Sequence, residues 1–163
     1  MKHLSIDCGT LIINHESGNE IQLRDISRAV YSNIAHLEQS YPKFKEWYTT
    51  KVVDGIMNGS RSFIIELRDG KIAGVAILKD DVSEKKVCTI SVDKEFQAKG
   101  LGFRLFEKSM RLLDTDKPLA SVSENRLPEF EKIFQHFNYE CSAEYRGLYI
   151  PRKSEFSFNG VLQ

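Results

Sequence analysis

Residues 89–103 read TISVDKEFQAKGLGF, and this stretch decides the fold. It passes from the alternating residues of a β-strand, which ends near Val92, through a turn with Gly100 and Gly102 into a helix. The first turn of a helix offers unpaired backbone N–H groups and a partial positive charge, and glycines before it let an anion approach the backbone. The turn 97–102 is therefore a candidate anion cradle, although such glycines also serve tight turns or close helix packing.

Two helices and a strand pair are predicted before this stretch. Apolar residues recur at spacings of three and four over 23–37, and the same spacing returns over 44–56, which is typical of amphipathic helices. The segments 62–67 and 71–78 are rich in Ile, Val and Phe. Arg68-Asp69-Gly70 lies between them, so this part of the chain is predicted to form an antiparallel hairpin.

The chain after the glycine turn alternates between helices and strands. Helical spacing continues over 103–113, Leu119 to Val122 is predicted to be a short strand, and 127–137 again has helical spacing. Two closing strands are expected over Tyr139 to Tyr145 and Leu148 to Phe158. The element order predicts a mixed α/β fold of the α+β type, with a largely antiparallel first half.

Composition narrows the classes of function. The chain has 163 residues, of which 23 are Lys or Arg and 23 are Asp or Glu, so its formal net charge is 0. This balance gives no long-range attraction to nucleic acid or anionic lipid, and both are unlikely partners. Hydrophobic residues make up 41% of the chain, which is ordinary for a globular protein. We expect a single domain over residues 1–163.

The cysteines and histidines indicate neither a disulfide framework nor a metal site. Cys8, Cys88 and Cys141 lie far apart with no CxxC pair, and the histidines form no ligand spacing, so we expect no bound metal. The sequence contains no secretion signal and no apolar run long enough to span a membrane. The expected compartment is the cytoplasm.

The glycine turn and the order of elements together resemble the GNAT superfamily of acyl-CoA-dependent N-acyltransferases. Its pyrophosphate loop follows the pattern Arg or Gln, two residues, Gly, one residue, Gly or Ala, and Gln97, Gly100 and Gly102 match it. The resemblance implies a mostly antiparallel sheet of about six to seven strands, about four flanking helices and an acyl-CoA cleft between splayed strands. A P-loop is excluded because no Gly-Lys-Ser/Thr follows, and the preceding hairpin is unlike a dinucleotide-binding βαβ unit.

The resemblance also implies a donor site for acetyl-CoA. Backbone N–H groups of the turn would hold the coenzyme A pyrophosphate, and the main chain at Ile90 and Val92 would pair with the pantetheine arm. Asn125 stands where the family often has an asparagine near the pantetheine, although a turn or helix-cap role is an equal alternative. The predicted donor-binding residues are Ile90, Val92, Gln97, Ala98, Lys99, Gly100, Leu101, Gly102 and Asn125.

Two positions depart from the family pattern. The tyrosine that often protonates the leaving thiolate corresponds to Phe134, which has no proton to donate, and the glutamate that some members use as a base corresponds to Cys88. Tyr145 and Glu124 are the candidate substitutes expected near the cleft, although each could instead have a structural role. Main-chain positioning without an acid or base is a further alternative.

The function implied by the resemblance is transfer of an acetyl group from acetyl-CoA to a primary amine of a small molecule, peptide or protein. A catalytically silent acyl-CoA-binding module is one alternative, since Phe134 and Cys88 replace the usual residues. A toxin-like enzyme acting on aminoacyl-tRNA is another, but the zero net charge disfavours it. A monomer and a homodimer are equally consistent with the sequence.

Overall fold

A seven-stranded mixed sheet forms the centre of the protein. The structure is a computed structural model that describes residues 9–162, so Cys8 lies outside the described residues. The strand order is β1-β2-β3-β4-β5-β7-β6, and every neighbouring pair is antiparallel except β4 and β5. The strands are β1 (Gly9–Ile13), β2 (Arg61–Arg68), β3 (Lys71–Asp80), β4 (Lys85–Val92), β5 (Leu119–Ser123), β6 (Cys141–Arg146) and β7 (Ser154–Phe158).

Four helices cover the two faces of this sheet. Helix α2 consists of three consecutive segments, Phe44–Trp47, Tyr48–Val52 and Val53–Asn58, of which the middle one is π-helical. Short 3₁₀ turns occupy Ala35–Gln39 and Lys94–Phe96. The remaining helices are α1 (Glu20–Ile34), α3 (Leu101–Leu113) and α4 (Leu127–His136). The predicted mixed α/β fold is confirmed.

The π-helical segment explains how apolar residues spaced strictly four apart in α2 all lie on the face toward the sheet. Phe44, Tyr48, Val52 and Ile56 are all buried. An α-helix has 3.6 residues per turn, so a four-residue repeat drifts by about 40° per step around the axis. Because a π turn holds its hydrogen bonds from i to i+5, the Tyr48–Val52 segment takes up the extra residues and keeps the stripe facing the sheet.

The first and last strands differ most from the sequence analysis. Strand β1 was not predicted, since its five residues form a strand by pairing with Phe63 to Leu67 of β2, a partner far away in the sequence. The last predicted strand was too long at its start. Gly147 and Arg152 have positive φ angles of 74° and 66°, which break extended structure, so β7 begins only at Ser154.

Two apolar clusters lie on opposite faces of the sheet. One packs α3 and α4 against β3, β4, β5 and β7, and includes Leu105, Phe106 and Phe134. The other packs α1 and α2 against β2 and β3. Helix α3 lies close to the sheet because β3 has a glycine there: a Cβ at Gly74 would stand 2.9 Å from Leu105 Cδ1.

A buried ionic network ties β1 and β2 to α3. Glu66 on β2 is fully buried and accepts hydrogen bonds from Thr10 Oγ1 at 2.9 Å and from Lys108 Nζ at 2.5 Å. Arg68 Nη1 donates to its other oxygen at 3.2 Å. Since removing one partner of a buried pair leaves the other charge without compensation, this network holds the first strand to the rest of the molecule.

We expect Glu66→Ala to lower the free energy of unfolding by about 3 kcal/mol. The partly buried Lys108 and Arg68 side chains then lose their common anionic partner. Urea denaturation measures the change. The control is Glu107→Ala, because Glu107 pairs with Arg111 at 3.8 Å on the exposed face of α3 and should contribute less than about 1 kcal/mol. Equal losses from both variants would contradict the stabilising role of the network.

Candidate active site

A cleft opens where β4 and β5 separate. These parallel strands pair at Lys86 with Leu119 and at Val87 with Ala120. Beyond these positions β4 continues to Val92 and β5 to Ser123. The β3–β4 register shifts so that Cys88 is an extra, bulged residue of β4. Bulges bend a strand and increase its twist, which turns β4 away from β5.

The cleft encloses a cavity of about 30 Å³ and is bounded from both faces of the sheet. Phe106, Phe130 and Phe134 reach it from α3 and α4, while Leu37 and Tyr41 reach it from the opposite layer. Its floor consists of β4 and β5 residues: Val87, Cys88, Thr89, Ile90, Ala120, Ser121 and Val122. A donor and an acceptor can therefore be contacted from different layers.

The glycine turn has the geometry of an anion site. Ala98 and Gly100 adopt positive φ angles of 63° and 76°, the second of which favours glycine. Among the described residues no side chain caps α3 at Gly100, and its first turn precedes the hydrogen bond from Arg104 N to Gly100 O. The amides of Leu101 and Gly102 at this terminus point toward the turn, together with the positive end of the helix dipole.

The other predicted donor-binding residues lie beside this turn. The carbonyl of Val92 accepts from Gln97 Nε2 at 3.0 Å, and the carbonyl of Ile90 accepts from Arg126 Nη2 at 2.8 Å. Lys99 is exposed in the turn, and Asn125 is exposed between β5 and α4. Both main-chain carbonyls that line the splay are thus held by side chains, which a bound pantetheine arm would have to replace.

Tyr145 and Glu124, the two predicted catalytic residues, are engaged in main-chain contacts. The Tyr145 hydroxyl accepts from Leu162 N at 2.9 Å, on β6 at the sheet edge. Glu124 Oε1 accepts from Ser154 N at 2.7 Å, next to the bond from Glu124 N to Ser154 O. The two bonds between Glu124 and Ser154 extend the β5–β7 pairing. Their catalytic roles stay predictions.

Cys88 and Phe134, which replace the usual base and acid, pack into the two clusters. Arg61 Nη1 lies 3.0 Å from the Cys88 sulfur. Burial raises the pKa of this thiol, and the Arg61 charge opposes the shift only in part, so the neutral thiol is favoured. The Phe134 ring lies 4.4 Å from the Phe158 ring and 5.5 Å from the Tyr139 ring.

The analysis of the sequence missed a buried carboxylate beside the cleft, Glu155 of β7. It is 3% exposed and lies opposite Ser123 of β5. The Tyr41 hydroxyl is 3.4 Å from each of its carboxylate oxygens. Burial raises the pKa of Glu155 to about 7, while the Ser121 and Tyr41 hydroxyls act in the opposite direction. A charged residue in a strand that alternates with Phe156 and Phe158 was the available signal.

Residues 9–162 contain neither a metal-ligand cluster nor a helix able to span a membrane. Within residues 9–162 no group of three or more His, Cys, Asp or Glu side chains is arranged to hold a metal ion. The helices in the described part of the chain are all too short or too polar to cross a bilayer.

The sheet that splays at one parallel pair and the uncapped glycine turn define an acyl-CoA-dependent acyltransferase fold. A family model described as "Acetyltransferase (GNAT) domain" matches residues 31–147. Because this is more than half of the chain, the chain belongs to the GNAT family of acyl-CoA-dependent N-acyltransferases, as the glycine turn predicted. No match was found among curated protein sequences.

Solved structures support the fold. An acetyltransferase candidate of the GNAT family from Desulfovibrio desulfuricans is similar over 92% of this chain and 97% of its own, with a TM-score of 0.63 at 14% identity. The ribosomal-protein-S18-alanine N-acetyltransferase of Escherichia coli matches over 92% of both chains, with a TM-score of 0.62 at 19% identity. A streptothricin acetyltransferase candidate from Bacillus anthracis, solved with acetyl coenzyme A, matches over 66% of this chain and 65% of its own, with a TM-score of 0.56 at 16% identity.

Glu155 should make stability depend on pH. Its pKa is raised from 4.5 to about 7 in the folded protein, so between these values the folded state binds the proton more tightly than the unfolded state. The free energy of unfolding therefore falls as pH rises through this window. Relative to Glu155→Gln, the wild type should lose on the order of 3 kcal/mol.

Urea denaturation across that pH window measures this difference. Glu140→Gln is the control. Glu140 is exposed just before β6, and its hydrogen bonds with Asn159 come from its main-chain atoms and not from its carboxylate. Parallel pH curves for the wild type and Glu155→Gln would mean that burial does not perturb this carboxyl group.

Proposed function

We propose that the protein transfers an acetyl group from acetyl-CoA to a primary amine of a small molecule, peptide or protein. The observation that carries this proposal is the uncapped, glycine-opened amino terminus of α3, directly after the strand that splays from β5. Such a terminus binds phosphate groups through backbone N–H groups and the helix dipole.

The donor would lie along the free edge of β4. In this proposal the amides from Gln97 to Gly102 hold the pyrophosphate, and the main chain at Ile90 and Val92 pairs with the pantetheine arm like an added strand. Positive φ angles at Ala98 and Gly100 curve the turn around that position. The Bacillus anthracis structure contains acetyl coenzyme A, which supports acetyl-CoA as the donor to test first.

Catalysis would rest mainly on positioning. Holding the thioester and the amine together in a closed cleft can replace a large part of the entropic barrier of the bimolecular reaction. The main-chain N–H near Val92 is the proposed donor to the tetrahedral oxyanion. Asn125 remains the proposed pantetheine contact. Tyr145 and Glu124 remain proposed candidates for proton transfer. For that role Tyr145 would have to give up its bond from Leu162 N, and Glu124 its bond from Ser154 N.

The setting of the reaction is part of the same proposal. We propose one domain over residues 1–163, a cytoplasmic location, no metal, and either a monomer or a homodimer. The related structures are named for acceptors as different as a ribosomal protein alanine and streptothricin, so an amine is the acceptor class that we propose. Nucleic acid is an unlikely partner for a chain with net charge 0.

A silent acyl-CoA-binding module is the second candidate. The observation in its favour is Phe134, which lines the cleft at the position of the usual acid and lies buried between aromatic rings. Acetyl-CoA binding without thiol release in the presence of any amine would favour this candidate over the transferase.

Gly100→Glu tests the donor site. We expect its affinity for acetyl-CoA to fall by about 100-fold or more, because a carboxylate then occupies the anion position and positive φ is strained. Isothermal titration calorimetry measures the affinity. Gly147→Glu is a matched control, since Gly147 also has positive φ but its added Cβ meets nothing within 4 Å. Wild-type affinity in a folded Gly100→Glu variant would refute the phosphate cradle.

Arg126→Met tests whether the guanidinium competes with the donor for the Ile90 carbonyl. Methionine keeps an apolar stem against Phe130, over which the guanidinium now lies at 5.0 Å, but it cannot donate a hydrogen bond. We expect the Kd for acetyl-CoA to fall about fivefold, equivalent to roughly 1 kcal/mol. Lys132→Met on the exposed side of α4 is the control. Weaker binding by Arg126→Met would show that Arg126 helps to hold the donor.

A further inference from the structure

Glu155 is a buried carboxylate whose charge the fold does not neutralise. It lies on β7 between Ser123 of β5 and Tyr145 of β6, and is 3% exposed. Of the residues that the structure describes, none places a Lys, Arg or His nitrogen within 4.0 Å of its carboxylate. Burying an anion without a cation is costly, so this residue weakens the folded state when it is ionised.

Glu66, the other fully buried carboxylate among residues 9–162, shows the contrast. Glu66 has Lys108 at 2.5 Å, Arg68 at 3.2 Å and the Thr10 hydroxyl at 2.9 Å. The structural carboxylate of Glu66 thus has two cations and a hydroxyl group as partners. Glu155 has only hydroxyl partners: the single Tyr41 O–H proton, 3.4 Å from both carboxylate oxygens, and the Ser121 hydroxyl. Its position is therefore not explained by stability.

The surroundings of Glu155 connect it to the cleft. Tyr41 and Ser121 line the cleft and also contact this carboxyl group. The Ser123 and Ser157 hydroxyls, on the same two strands, are buried without a hydrogen-bond partner in the described residues. Register pairs Ser121 with Ser157 and Ser123 with Glu155, so these four side chains share one polar face of the sheet.

A pair of aromatic rings lies beside Glu155, one of them from the cleft residue Tyr41 and the other from the partly exposed Tyr149. The Tyr149 ring packs edge-on against Tyr41, with 5.3 Å between ring centroids. Burial raises the pKa of both phenols, and the charge of Glu155 adds to each shift. They therefore stay neutral. Neutral aromatic rings beside a carboxylate are a favourable environment for an ammonium group.

The remaining charged groups act from a greater distance. Lys86 on β4 and Arg126 at the start of α4 both lower the pKa of Glu155, but less than burial raises it. Desolvation raises the pKa of the half-buried Cys88 thiol on β4, which therefore stays neutral.

We propose that Glu155 is the catalytic base, and that it binds the ammonium group of the acceptor in the pocket formed with Tyr41 and Tyr149. This inference rests on the proposed transferase function. The acceptor class is a primary ammonium whose carbon chain packs along the faces of the two contacting tyrosine rings. Tyr41 is a positioning residue, because its hydroxyl holds the carboxylate at the edge of the cleft.

The proposed step balances as follows. The Glu155 carboxylate takes one proton from the R–NH₃⁺ group and becomes a neutral carboxylic acid. The free amine forms an N–C bond with the thioester carbonyl, and the C–S bond then breaks. The second nitrogen proton goes to the departing thiolate, which gives the amide and the free thiol of coenzyme A. Glu155 returns its proton to solvent before the next turnover.

The acidity of Glu155 suits this role. A general base works best when its pKa lies near the pH of the reaction, and burial raises the pKa of Glu155 to about 7.

Glu155→Gln is the decisive variant, compared with wild type and with Glu140→Gln. Thiol release from acetyl-CoA would be followed with spermidine, lysine and an alanine-terminated peptide as acceptors, and donor affinity by calorimetry. We expect kcat to fall about 100-fold or more in Glu155→Gln, with unchanged acetyl-CoA affinity. In the pH profile of kcat/KM, the rise near pH 7 that reports Glu155 should disappear. The limb at higher pH that reports the acceptor's own ammonium group should remain.

Tyr41→Phe separates positioning from a structural role. It keeps the ring and removes the hydrogen bond that stabilises the carboxylate, so the pKa of Glu155 should rise further. We expect the limb near pH 7 to move to higher pH with a smaller loss of kcat than in Glu155→Gln. A merely structural tyrosine would change stability without moving this limb.

The outcomes separate this inference from the proposed function. If the wild type releases thiol and Glu155→Gln retains its rate and its pH profile, the base assignment is wrong and the transferase stands. If the wild type binds acetyl-CoA but releases no thiol with any acceptor, the transferase function fails and the base assignment fails with it. Loss of both rate and limb in a folded Glu155→Gln variant supports both.

Discussion

The short parallel contact between β4 and β5 is the constraint on which the site depends. Every other neighbouring pair in the sheet is antiparallel and runs over at least four register positions, whereas these two strands pair at only two before the Cys88 bulge turns β4 away. The break frees the main chain of Ile90 and Val92 and brings residues of both layers to one opening. It also aligns the end of β4 with the turn that begins α3. Without that divergence the sheet would be continuous, and donor and acceptor could not meet inside it.

The main elements of this fold could be predicted because their signals are local. A few neighbouring residues were enough to predict each of three elements. Apolar spacing indicated helix α1 and the β2–β3 hairpin, and glycine placement indicated the turn before α3. Strand β1 could not be predicted, since five residues become a strand only when β2 supplies their hydrogen bonds. The start of β7 was misjudged because the positive φ of Arg152 reflects loop packing and not residue type.

The candidate site divides in the same way. The proposed donor side lies in one stretch of sequence, and its prediction rests on Gln97, Gly100 and Gly102. The proposed acceptor side joins residues more than a hundred positions apart, as Tyr41 and Glu155 are. Nothing in Ser154 to Phe158 reveals which face of the strand meets the cleft until β5 and β6 are placed on either side. The contact between Arg126 and the Ile90 carbonyl likewise appears only in three dimensions.

The π-helical segment of α2 bears on how this chain can change in length. Since each residue of an α-helix advances about 100° around the axis, loss of one residue within Tyr48–Val52 would produce a more regular helix but rotate everything after it. Ile56 would then leave the core, and the chain would enter β2 from a different direction. Helical regularity and burial are thus opposed at this point, and insertions or deletions in α2 are constrained more tightly than substitutions. The irregular turn acts as a spacer that fixes the distance between the first layer and the sheet edge.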